Sequence, residues 1–147
     1  MSNIIFYLHL AAAASWIGGS MLLFVLGIGI RDKEAQKAVY FHIGPLYGYF
    51  ESVVLLLLLS TGGYMLYAKS LWSVVSTGGE FADTLVMKMT LVGMITFATI
   101  VHMIISMNAH GRERSQKEKI ISRTTSMMIF TLNLVILWYA MKIRNFL

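Results

Sequence analysis

The sequence predicts an all-α fold, an integral membrane four-transmembrane-helix bundle, with residues 1–147 forming a single transmembrane four-helix domain. Three observations predict it. Four apolar runs, over roughly 4–30, 46–68, 84–107 and 124–141, each approach the ~20 residues an α-helix needs to cross about 30 Å of hydrocarbon. Charged residues make up 13% of the chain, about half the roughly 25% of ordinary soluble domains. The runs are continuously apolar, as in VVLLLLL at Val53–Leu59. Barrel strands alternate, and lipid admits only helices or closed barrels because backbone groups there can bond only one another. A soluble bundle would carry polar stripes that these runs largely lack.

The first run contains HLAAAASWIGGSMLL, from His9 to Leu23. Its AAAAS would suit a signal-peptide cleavage site, yet no basic residue precedes it and the apolar run continues past it, so a retained helix is expected. A connector over 31–45 carries Arg31, Lys33 and Lys37, and leads to the second helix. LWSVVSTGGEFAD, Leu71–Asp83, has room for a short amphipathic turn that Gly78-Gly79 breaks. The third helix follows. The connector over 108–123 holds Arg112, Arg114, Lys117, Lys119 and Arg123, a solvated basic segment suited to anionic headgroups. The fourth helix closes the bundle.

Basic residues set the orientation. Eight lie in the connectors 31–45 and 108–123, against Lys69, Lys142 and Arg144 on the other side. The expectation is a bacterial-type inner (plasma) membrane, multi-pass, with those two connectors cytoplasmic and both termini external. The net charge of +5 is then a product of topology, and membrane lipid, not nucleic acid, is the expected partner. With no cysteine, disulfides, iron–sulfur clusters and thiolate zinc sites are excluded. Eleven methionines would interest Cu(I), but they are scattered and read as apolar filler.

Ionisable groups at membrane depth cost about 2.5–3.5 kcal/mol each near a helix centre, so they direct attention to function. They are His9, Glu51, Lys88 and His102, with His42 and His110 near the cytoplasmic boundary. At about 1.5 Å per residue, His9 lies roughly 9 Å and Lys88 roughly 6 Å inward from the external side, an expected common level. At 100° per residue His9 shares a face with Ala13, Trp16, Ser20 and Gly27, and Lys88 with Thr84, Thr99, His102 and Ser106. The expected inner level is His102 with His42. Trp16 is too deep for an interfacial belt and suits either a lined pocket or core packing. Glu51, on a face with Gly44, Gly48, Leu55 and Gly62, suits a proton carrier or the partner of a cation. Plainer roles stand beside these: Lys88 snorkelling to headgroups, a neutral His9 hydrogen-bonded to a helix backbone or to a Ser or Thr neighbour, and His102 bonded to Thr or Asn133 of the fourth helix. Ala11–Ala14, Gly18 and Gly19 would admit a close backbone or a flat ring, and Gly62-Gly63 would suit a homo-oligomeric contact.

HLAAAASWIGGSMLL resembles the helix opening the CopD-type copper-resistance domain, a His and then a Trp followed by small residues. LVMKMTLVGMITFATIVH, Leu85–His102, resembles a later helix of that domain and of the related HemJ-type protoporphyrinogen oxidases, which begins with a lysine after apolar residues. GPLYGYFESVVLLLLLSTGGYML, Gly44–Leu66, is similar to the intervening helix, ending in a Thr-Gly turn. The helix-1 text is closer to the CopD type, since no charge occurs between Trp16 and Arg31. The HemJ-type resemblance implies a membrane protein binding haem b, with the positions of His9 and Lys88 essential.

The resulting expectation is a haem-b-binding membrane redox protein, an electron carrier or an oxidase of a porphyrinogen or quinol. His9 is the expected ligand of haem iron, with His102 as a further metal ligand; Lys88, Trp16, His102 and His42 contribute to cofactor binding, and Lys88 and Glu51 to catalysis. Neutral imidazole suits haem iron, and b-type haem needs no cysteine. The alternatives are a copper-handling protein of the CopD type and an accessory subunit of a larger membrane complex.

Overall fold

The structure, a computed structural model, describes residues 2–108 and 115–145. The chain is all-α, with α1 at Ser2–Gly29, α2 at Lys33–Ala68, α3 at Leu71–Thr77, α4 at Glu80–Asn108 and α5 at Gln116–Arg144. The four long helices are long and apolar enough to cross a membrane, and most of their large apolar side chains are exposed, as lipid contact requires. His110, Arg112 and Arg114 lie outside the described residues. Two compact units divide the chain, the first ending at Leu71 and the second beginning at Trp72.

In the first unit α1 and α2 form an antiparallel hairpin. The expected connector over 31–45 is mostly helix: only Ile30–Asp32 separates α1 from α2. Asp32 explains this, since its carboxylate accepts from the Glu34 N–H at 3.2 Å and caps α2. Gln36 reaches back to the Gly27 carbonyl at 2.8 Å, serving an α1 acceptor that its own helix leaves open. The 36 residues of α2 span about 54 Å, well beyond ~30 Å of hydrocarbon, so part of this helix stands outside the apolar layer or the helix tilts strongly. Pro45 removes one N–H from the ladder without ending the helix. The expected Thr-Gly turn at Thr61-Gly62 is also absent: α2 runs through it to Ala68, and the helix ends just before Ser70, whose φ of 50° is left-handed.

The second unit holds α3, α4 and α5. Gly78 and Gly79 take φ of +71° and +101°, so these glycines do break the chain before α4. Helix α4 begins at Glu80, four residues before the expected start. Ser115 and Glu118 form a reciprocal capping box that starts α5, so residues 116–123 of the expected connector are helical too. Helices α4 and α5 pack antiparallel, with His102 beside Ser122 at one end and Lys142 3.0 Å from Glu80 at the other. At equal rise from these levels, Thr99 stands opposite Thr125, Ile95 opposite Ile129 and Leu91 opposite Asn133, and all six are buried. Phe97 is 68% exposed, whereas Ala98 is 2% exposed, which separates the lipid-ready face from the packed one. Ser and Thr hydroxyls in both units donate to the carbonyl four residues back, as at Thr99 and Thr125, so these hydroxyl protons are satisfied within their own helix.

Candidate functional site

His9 lies two turns into α1, half-buried, with its ring on α2. Its Nδ1 is 2.8 Å from Thr61 Oγ1, and that hydroxyl lies 2.6 Å from the Leu57 carbonyl. Thr61 has one proton to give, and the short bond to Leu57 uses it. The Thr61 oxygen therefore accepts, and His9 donates through Nδ1–H. For a neutral ring this assigns the proton to Nδ1 and the lone pair to Nε2. Gly62 makes room for the ring, since a Cβ there would lie 3.3 Å from His9 Cε1. A histidine held through Nδ1 with its Nε2 lone pair defined is the arrangement metal-ligating imidazoles adopt.

Further along the same hairpin, Tyr47 lies against Gly19. A Cβ at Gly19 would come 2.9 Å from both Cε2 and Oη of the tyrosine, so a side chain there would force the ring to shift. The Tyr47 hydroxyl bonds Ser20 and lies in the electrostatic reach of Glu51. Ser20 in turn donates to the Trp16 carbonyl at 3.0 Å. Trp16 is buried, 4% exposed, on the α1 face that carries His9. Tyr40 donates to the Leu23 carbonyl at 3.1 Å, a further polar tie between α1 and α2.

The other expected residues fall into three situations. His102 pairs within its own unit: its Nδ1 is 3.5 Å from Ser122 Oγ and 3.4 Å from Ser126 Oγ. The fourth-helix partner is thus Ser122 and Ser126, not Asn133, because Asn133 stands two to three turns away along α5. His42 is exposed on the first part of α2, edge-on to Phe41 at 5.3 Å between ring centroids, in a shallow groove with Glu34, Lys37 and Ala38. Lys88 is half-buried on the α4 face that carries Leu91, Ile95 and Thr99, and among the described residues its Nζ has no hydrogen bond or ion pair. Gly62 is occupied by His9, which leaves Gly63, exposed and with nothing within 4 Å, as the open member of that pair.

Among the described residues, no group of three His, Asp or Glu side chains is arranged to hold a metal ion. A haem iron needs no such group, since the porphyrin supplies four nitrogens and the protein one or two axial ligands. His9, with its tautomer fixed by Thr61, fits that need. The Ser or Thr neighbour expected for His9 is Thr61, and Ser20 lies on the expected His9 face, whereas sequence reasoning missed that the partner stands on α2 and that Tyr47 joins Ser20. The one signal that could have found Thr61 was its place immediately before Gly62-Gly63, the space a ring needs. Compared with known protein families, curated proteins and solved structures, the chain matches none.

Proposed function

We propose that the protein is a haem-b-binding redox protein of the membrane, with His9 as an axial ligand. The observation that supports this is the His9–Thr61–Leu57 chain, which leaves the Nε2 lone pair of a membrane-embedded imidazole as its defined basic atom. Haem would supply one-electron chemistry. The α1/α2 hairpin would supply the ligand, hold its ring against Gly62 and exclude water through its apolar surroundings. The residues HLAAAASWIGG and LVMKM, similar to the CopD and HemJ types, favour the same reading, and the HemJ type adds porphyrinogen or quinol oxidation as the finer proposal.

For Lys88 the proposal is narrower. An ammonium at membrane depth with no hydrogen bond or ion pair among the described residues of its own unit calls for an anion, and a porphyrin carboxylate belongs to that class. A copper-handling role stands as the second reading through the CopD-type helix 1, without a ligand cluster among the described residues. The proposed setting is a bacterial-type inner membrane, with the basic α1–α2 and α4–α5 connections cytoplasmic.

The test is a reduced-minus-oxidised spectrum of the detergent-purified protein after expression with haem supply. Wild type should show reducible b-type bands, His9→Ala should lose them by at least tenfold, and Lys88→Ala should keep haem with a shifted spectrum or halted turnover. Full bands in His9→Ala would remove the ligand assignment. Copper bound without porphyrin absorbance would favour the second reading.

A further inference from the structure

Glu51 lies midway along α2, half-buried, inside a segment rich in Val, Leu, Phe and Tyr, in which the adjacent Ser52 donates to the Gly48 carbonyl. Within its own unit no described cation pairs with it. The facing helix offers none: α1 contains no Asp, Glu, Lys or Arg, and its titratable side chains are Tyr7 and His9. His9 is bonded to Thr61, ten residues and so about 15 Å along α2 from Glu51. On α2 itself the titratable neighbour is Tyr47, one turn before Glu51 and so on the same helix face.

The hydrogen-bond directions around Tyr47 decide what it offers. Ser20 spends its proton on the Trp16 carbonyl at 3.0 Å, so in the Tyr47–Ser20 bond the serine oxygen accepts and the tyrosine hydroxyl donates. With that proton engaged, the Tyr47 oxygen presents lone pairs. A lone pair welcomes a carboxylic acid proton and repels a carboxylate. The apolar surroundings act in the same sense, because a bare carboxylate there is costly and a neutral acid is not. We propose that Glu51 is a proton-exchange site inside the membrane: a carboxylic acid beside Tyr47 that releases one proton to water and takes one back. No electron transfer is involved, and the site stands independently of the haem reading.

Dicyclohexylcarbodiimide tests this on the full chain in liposomes. The apolar reagent adds to a protonated carboxyl in lipid, its nitrogen taking the acid proton and its central carbon the oxygen. Peptide mass spectrometry should place one adduct on Glu51, with labelling falling at least tenfold between pH 6 and 9. Glu51→Gln should abolish it, and the water-exposed Asp83 should stay unlabelled throughout. Ser20→Ala frees the Tyr47 proton for the carboxylate, and should move the midpoint of the labelling curve to lower pH. An absent Glu51 adduct at every pH, or labelling that ignores pH, would overturn the proposal. So would an unmoved midpoint in Ser20→Ala. Each result is read without haem, so failure here leaves the His9 assignment intact, and loss of that assignment leaves this one.

Discussion

In the α1/α2 hairpin, rings meet glycines: His9 lies on Gly62 and Tyr47 on Gly19. In the α4/α5 hairpin, side chains of similar size stand opposite one another, Ile95 with Ile129 and Thr99 with Thr125, in an unbroken buried stripe. Each hairpin also ties one histidine to hydroxyls on its neighbouring helix, and there the difference is informative. His9 makes a 2.8 Å bond to a hydroxyl whose proton is already used. His102 divides its Nδ1 between two hydroxyls at 3.4 and 3.5 Å, beyond the usual 2.7–3.2 Å of an N–H···O bond. The same residue type is pinned in one place and loosely glued in the other. The first hairpin uses its interface to aim polar groups, and the second uses its interface to hold together.

Substitutions can break this contrast at either end. Ile95→Ala opens a cavity in the buried stripe of α4/α5 and should cost about 2–4 kcal/mol, read as a lower unfolding midpoint in detergent, with haem bands unchanged. Gly19→Ala puts a Cβ 2.9 Å from the Tyr47 ring. It should cost about 1–3 kcal/mol as an overpacked contact, and should also displace the Tyr47–Ser20 pair, shifting the pH profile of Glu51 labelling.

The sharper variants act on ligand geometry and on the surface. Thr61→Val keeps shape but removes the acceptor for His9 Nδ1–H. Loss of such a support typically weakens metal binding by about 10–100-fold, so haem titration should show at least a tenfold weaker complex while Thr61→Ser stays near wild type. The smallest effect belongs to Lys142→Gln. The Lys142–Glu80 bridge spans 3.0 Å but is largely exposed, with the two side chains at 41% and 69%. It joins the end of α5 to the start of α4 in the sense helix dipoles favour, and its loss should change the unfolding midpoint by less than about 1 kcal/mol.

The four apolar runs made the helices legible, because length and hydropathy alone decide whether a segment suits lipid. Their ends were less legible. Lys33–His42 reads as a polar connector by charge, yet Asp32 caps it and the helix continues, since a helix emerging into water needs no apolar face on every side. His9, Glu51 and Lys88 stood out because each is expensive in hydrocarbon. Their partners did not. Thr61 and Ser20 are inexpensive there once bonded to the carbonyl four residues back, so composition gives no hint that either oxygen also serves a neighbour 52 or 27 positions away in the chain. The register of α1 on α2 decides that, and it is set by where glycines let rings approach.

The most direct measurement is chemical rescue of the ligand. In His9→Gly the imidazole ring is gone while Thr61, Leu57 and Gly62 remain. Purified His9→Gly should lack reducible b-type bands, and added imidazole should restore them in a saturable way, whereas His102→Gly should keep the bands with no imidazole present. Full bands in His9→Gly before any imidazole is added, or their loss in His102→Gly alone, would contradict the account.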